Sequence, residues 1–184
     1  MLFTVDRTGR VLDVWLAESS PATWDVARGG ILCRSLGPTR TEEDFAQHIA
    51  KTIDTDPNAG WIFVSDQLNT HMSEAVVRLV AERCGLRDDL GIKSKCGFLH
   101  TLATRKAFLS AADHRIRFVY TPRHSSWLNQ IEIWFSILAR KLLRRSSFTS
   151  LPDLKARVEK FIDYFNAVLV KTFRWTFTGR PLQA

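Results

Sequence analysis

The stretch "WIFVSDQLNTHMSEAVVRLVAERC", residues 61–84, decides the fold. It opens with a continuous apolar run, Trp61-Ile62-Phe63-Val64, after the turn-rich "DTDPNAG". Such a run between turn signals reads as a buried strand. Ser65 and Asp66 end it, Asn69 and His71 follow, and a helical pattern over 72–84 runs up to Gly85. Glycine there is suited to closing a helix. In α/β sheets, ligands gather beyond the carboxyl ends of the strands, which is where Asp66 falls. Taken alone, Asp66 reads as a turn or helix-cap residue. Asn69 and His71 read as polar groups satisfying free N–H groups at a helix entrance.

Upstream, "LFTVDRTGRVLDVWL" (2–16) predicts two short strands around a turn at Arg7-Thr8-Gly9, and Pro21 interrupts. "TWDVARGGILCRSL" (23–36) predicts a hairpin turning at Gly29-Gly30. Phe45, Ile49 and Ile53 recur at helical spacing over 41–54, with Thr39 and Glu42, or Thr41 and Asp44, as capping pairs. Downstream, 86–100 shows little periodicity, 104–110 suits a short helix, and "RIRFVY" (115–120) is a strand ended by Thr121-Pro122. Helices over 127–143 and 151–167 follow, then a polar tail. Strands that lead into helices predict an α/β fold, a mixed β-sheet flanked by α-helices.

The 184 residues suit one domain, or one domain with a small appendage. With 45% apolar residues, six Trp and twelve Phe, the chain can bury its own core, which excludes a disordered polymer. Lys plus Arg (26) outnumber Asp plus Glu (19), a formal charge of +7. The segment 139–148 carries Arg140, Lys141, Arg144 and Arg145 and no acid. A polyanionic partner follows, nucleic acid before membrane surface. The alternative is a solvated helix end whose cations favour the helix dipole. Cys33, Cys84 and Cys96 form no CxxC pair, which fits a reducing compartment and no zinc site. Neither a signal peptide nor a membrane-spanning stretch is visible, so a cytoplasmic protein is expected.

The second informative stretch is "TPRHSSWLNQIEIWF", 121–135. Leu128, Ile131, Phe135, Leu138 and Leu142 form the expected buried stripe of its helix. Glu132 lies at the edge of that stripe, with the small Ser136 and Ala139 on its own face. A solvated glutamate is the ordinary reading. Asp66 and Glu132 together suggest more. Mg²⁺ takes oxygen ligands from a few carboxylates, and two such ions can activate a nucleophile and stabilise a leaving oxygen at phosphorus. That chemistry requires acids from distant segments to converge at one sheet edge.

"FVSDQLNTH" (63–71), "YTPRHSSWLNQIEIWFSILARKLLRR" (120–145) and "GPTRTEEDFAQHIA" (37–50) resemble the catalytic domain of bacterial insertion-sequence DDE transposases of the mariner-like superfamily. The resemblance covers about residues 23–182, including "FRWTFTGRPL". It implies a ribonuclease H-like fold, Mg²⁺- or Mn²⁺-dependent cleavage at transposon ends, and transfer of the freed 3′-hydroxyl to target DNA. Asp66 matches the second catalytic acid and Glu132 the third, both as metal ligands. Asn69 and His71 match supporting positions, and Pro122, Trp127 and Asn129 shape the loop and helix entrance. Lys141, Arg144 and Arg145 are expected to contact DNA. The resemblance also implies a homodimer on DNA, nucleoid-associated in a bacterial cytoplasm.

The first acid departs from the pattern. Asp6, after "LFTV", is its stand-in, ahead of Asp13 and Asp25. Residues 1–22 form an atypical segment, and 23–184 the catalytic domain, whether or not the two are continuous. No helix-turn-helix pattern precedes the domain. The chain is therefore expected to be an N-terminally truncated catalytic domain with little or no activity. Two alternatives stand beside that reading. One is a non-catalytic remnant that binds DNA or pairs with full-length transposase. The other is a ribonuclease H-like nuclease acting on RNA or Holliday junctions.

Overall fold

A computed structural model describes residues 2–6, 14–16, 20–25, 28–35, 41–122 and 131–171. Strands β1 (Leu2–Asp6), β5 (Trp61–Ser65) and β6 (Ile116–Tyr120) form one sheet in the order β1-β5-β6. It is mixed: β5 and β6 run parallel, and β1 runs antiparallel to β5. A second, antiparallel sheet holds β2 (Val14–Leu16), β3 (Ser20–Asp25) and β4 (Gly30–Arg34). The helices are α1 (Glu42–Ile53), α2 (Glu74–Cys84), α3 (Leu102–Leu109), α4 (Ile131–Lys141) and α5 (Leu151–Tyr164). The α/β class follows the sequence expectation, with two small sheets among the described residues.

Two expectations near the N-terminus are corrected. β1 and β2 do not pair with each other as a hairpin, because β1 takes β5 as its partner and β2 takes β3. The expected turn at Arg7-Thr8-Gly9 lies outside the described residues. Pro21 does not interrupt; it is the second residue of β3, opposite Trp15. A strand's start tolerates proline better than its middle, where a ladder hydrogen bond would be lost.

The β3–β4 hairpin turns where expected. Gly29 has φ +75°, a left-handed conformation that favours glycine. A side chain there would also collide with the Lys171 carbonyl. The Asn166 amide then grips β4 like an added strand: Ile31 N–H donates to Oδ1 (2.9 Å), and Nδ2 donates to the Ile31 carbonyl (2.7 Å).

Helix α1 starts at Thr41 with the Thr41–Asp44 capping box, the second of the two expected pairs. Glu42, Glu43 and Asp44 in its first turn suit the positive end of the helix dipole. Its buried Phe45, Ile49 and Ile53 meet Val76, Val77 and Val80 of α2 and the alternate residues Trp61 and Phe63 of β5. Phe63 stacks on Phe118 at 5.0 Å, which ties β5 to β6. Gly85, φ +67°, closes α2 as expected.

A second core lies against the other side of β5. Trp134 and Leu138 of α4, Val158 and Ile162 of α5, Phe165, and Trp24 and Ile31 of the hairpin are buried together, and Val64 packs on them. Of the expected α4 stripe, Leu138 is buried and Leu142 is half-buried. Trp134, outside that stripe, is the large buried residue. Leu128 and the side chains of Ile131 and Phe135 fall outside the described residues.

Candidate active site

β5 delivers the site. Its alternation buries Trp61, Phe63 and Ser65, so the last buried position of the strand is a hydroxyl. Ser65 Oγ donates to the Asp66 carbonyl (2.8 Å) and lies 3.1 Å from His71 Nδ1. His71 Nδ1 is also 2.7 Å from Asp66 Oδ1. An ionised carboxylate only accepts, so Nδ1 carries the hydrogen and shares it between Asp66 and Ser65. The Leu68 N–H donates to the same Asp66 oxygen at 3.3 Å, a short turn around the acid.

Asp66 does not cap α2. Ser73 does, accepting from the Val76 N–H. The turn reading of Asp66 holds and the cap reading does not. His71 sits in a 3-10 turn, Asn69–Met72, fully buried, with its ring 4.5 Å from that of Phe45. The Tyr120 hydroxyl donates to the His71 carbonyl at 3.2 Å. Burial pushes the Tyr120 phenol up from its ordinary range. The imidazole is thus a fixed post, and Asp66 leans on it from the surface.

The Asp66 side chain keeps 28% of its surface open, enough to meet a ligand from solvent. Partial burial pushes its carboxyl up, while the His71 hydrogen bond, the imidazole's charge when protonated and, after them, the N-terminal amine pull it down. The net position is about 2, so the acid is ionised at neutral pH. An ionised, partly open carboxylate is the donor chemistry a hard divalent cation takes. Among the described residues, no three His, Cys, Asp or Glu side chains gather as a metal cluster.

Glu132 lies in the first turn of α4, and its side chain is outside the described residues. Its neighbourhood is fixed by packing. Glu132 precedes the buried Trp134 by two positions, and Asp66 follows Val64 by two; Val64 packs on the core that holds Trp134. The segments that carry the two acids therefore border the same core. The Asp6 expectation is not met in the same way. β1 runs antiparallel, so Leu2 pairs with Ser65 and Asp6 with Trp61. Four residues of strand, about 13 Å, separate Asp6 from the end of the sheet that carries Asp66. Asp25 is buried on β3, and its carboxylate accepts from the Arg28 N–H in the hairpin turn. Asp13, Trp127 and Asn129 lie outside the described residues.

Asn69 is exposed at the start of its turn. Lys141 ends α4 and is exposed, as is Arg144; Arg145 closes the following 3-10 turn, Leu143–Arg145. Cys33, Cys84 and Cys96 form no disulfide among the described residues, and Cys96 is exposed. None of the described helices is long and apolar enough to cross a membrane.

The sequence reading missed three neighbours of Asp66. Gln67 Nε2 donates to the Thr121 carbonyl (2.9 Å), and the Thr121 N–H donates to the Ser65 carbonyl (2.8 Å). Lys106 Nζ lies 3.4 Å from Gln67 Oε1 and 5.4 Å from the centre of the Tyr120 ring. Only the contact across 39 to 54 residues reveals them; no local pattern does. An open cleft of 610 Å³ lies elsewhere, lined by Thr41, Glu42, Thr70, Glu74, Arg78 and Lys93. Two of its three acids are engaged by cations, Glu42 by Lys93 (2.9 Å) and Glu74 by Arg78 (2.7 Å), and Glu43 is the third. It does not reach Asp66.

An α/β domain with an ionised carboxylate beyond a parallel strand is a fold consistent with the nucleases and phosphoryl-transfer enzymes. Residues 26–155 match the DDE superfamily endonuclease family, a stretch that includes Asp66, His71 and Glu132. The chain belongs to that family, a family of transposase- and nuclease-type domains whose substrate is DNA. No curated protein and no solved structure matches the chain.

Proposed function

We propose that this chain is the catalytic domain of an insertion-sequence transposase of the mariner-like kind, ribonuclease H-like in fold. Asp66 and Glu132 serve as its second and third acids. The observation that carries the reading is Asp66 itself: ionised, partly open, and fixed by a buried histidine at the carboxyl end of a parallel strand. The core shared by α4 and Val64 supports Glu132 as its partner.

Asp66 and Glu132 would hold Mg²⁺ or Mn²⁺, which supplies Lewis-acid activation of the attacking oxygen and stabilises charge on the leaving one. The residues of the chain do the rest. His71 holds the Asp66 carboxylate in one orientation, and Ser65 fixes the imidazole from behind. Lys141, Arg144 and Arg145 would hold the DNA backbone through phosphate contacts, without reading sequence. Asn69 and Asn129 take supporting places at the loop and helix entrance. Cleavage at transposon ends, strand transfer to target DNA, and a homodimer on paired ends complete the reading.

The test is strand cleavage by the chain on the transposon-end DNA that brackets its own coding sequence, with Mg²⁺ or Mn²⁺. The expected result is cleavage that disappears in Asp66→Ala and in Glu132→Ala. Cleavage that survives both substitutions would overturn the assignment.

One observation favours a second reading. The β1 register carries Asp6 away from Asp66. Two acids without a third would bind metal weakly, leaving a module that binds DNA or pairs with an intact transposase and does not cut. DNA binding indifferent to divalent metal, with no cleavage product, would favour this reading.

A further inference from the structure

Several cations among the described residues are neutralised by a neighbouring acid. Lys93 pairs with Glu42, Arg78 with Glu74, Arg83 with Asp54, and Arg157 with Asp153. Lys106 differs. It is half-buried on α3, and among the described residues no carboxylate pairs with it. Its ammonium rests over the Tyr120 ring and touches a neutral amide oxygen, Gln67 Oε1.

The placement is specific. Gln67 follows Asp66 directly, and its Nε2 is fixed on the Thr121 carbonyl, so Oε1 is held toward Lys106. The ring face and the amide oxygen position the charge without cancelling it. One acceptor uses one of three N–H donors and leaves others to point outward. A half-buried ammonium held by the residue that follows the Asp66 carboxylate suits a phosphate oxygen, for which lysine acts as a point charge.

We propose that Lys106 binds a phosphate of the DNA strand that lies over Asp66, with Gln67 and Tyr120 holding it in place. The proposal rests on the DNA-processing reading above, but not on which residues bind metal. Lys106 sits on a different element from the basic end of α4 and touches Gln67, the residue after the acid.

The test is equilibrium binding of the full chain to duplex DNA across a salt series, without divalent metal. Lys106→Gln and Lys106→Met should flatten the dependence of log K on log salt by about 0.9, one phosphate contact. Lys106→Arg should keep the slope. Lys51→Gln, an exposed cation at the end of α1, should leave it unchanged. Met keeps the aliphatic stem over Tyr120, and thermal unfolding of each variant separates folding from binding. A wild-type chain that binds DNA, with the same slope in Lys106→Gln and Lys106→Met, overturns the lysine assignment alone. A wild-type chain that binds no duplex DNA overturns the DNA-processing reading and this proposal with it.

Discussion

His48 and His71 are both fully buried, and their surroundings divide the molecule into a structural half and a chemical half. His48 meets hydroxyls on both ring nitrogens: Thr23 Oγ1 at Nε2 (2.7 Å) and Ser35 Oγ at Nδ1 (3.0 Å). Thr23 also meets Thr52 at 2.9 Å, and Thr52 donates back to the His48 carbonyl. This network joins the β3–β4 hairpin to α1 and stays inside the protein. His71 also has a hydroxyl neighbour, Ser65, but its Nδ1–H reaches a carboxylate that is open to solvent. The same side chain is a bolt in one place and the anchor of a solvent-open acid in the other. The difference lies in one partner, Asp66.

That contrast can be broken at several points, and the largest effect is expected at Asp66. Asp66→Ala should lower metal-dependent cleavage by about 10³-fold or more, the scale of several kcal/mol of charge stabilisation. Single-turnover kinetics would read it. An equal loss from His48→Asn, in protein that remains folded, would erase the distinction.

His71→Asn comes next. It should weaken Mn²⁺ affinity about 10- to 100-fold, the usual consequence of releasing a ligand's supporting partner. Calorimetric titration would measure this, and the variant should release the Asp66 carboxyl upward from about 2. In the other network, Thr23→Val should destabilise the fold by about 1–3 kcal/mol, because it leaves a buried ring nitrogen without its hydroxyl. Denaturant unfolding would show it, with Mn²⁺ affinity unchanged.

The smallest effect concerns pH. The Asp66 carboxyl is depressed on folding, from its ordinary 3.8 to about 2. Its contribution to stability is therefore complete above about pH 4 and falls away as pH drops from 3.8 toward 2. A carbon-13 titration of the side-chain carboxyl should show ionisation persisting to that range. In His71→Asn the midpoint should move up. A midpoint of 3.8 in the wild-type chain would show that His71 does not hold the acid.

Much of this was legible in the sequence because the signals were local. The apolar run 61–64, the Thr41–Asp44 pair, Gly29 and Gly85 each declare a strand, a cap or a turn within a few residues, and the structure uses them so. The Asp66–His71 pair was legible as two polar residues at a strand end, but their direct contact was not. Spacing alone did not show that a 3-10 turn folds His71 back under the acid. The position of Asp6 in the sheet was not legible for a related reason. An acid after a short apolar strand gives no clue to strand direction, and the antiparallel register reverses which end of β1 meets Asp66. Gln67, Thr121 and Lys106 meet only through the packing of α3 and the β5–β6 ladder, which no short window contains. Trp134 is not in the stripe read from the sequence, and only the long-range core it shares with Trp24, Val64 and Phe165 reveals its burial.

The claim that Asp66 and Glu132 share one divalent cation is tested most directly by paramagnetic broadening. Substoichiometric Mn²⁺, added to the nitrogen-15-labelled chain, should broaden the amides of Ser65, Asp66 and Gln67 together with those of the first turn of α4. Asp66→Ala should abolish both sets. Broadening confined to the Glu42–Glu74 cleft, or broadening around Asp66 with α4 untouched, would contradict the account.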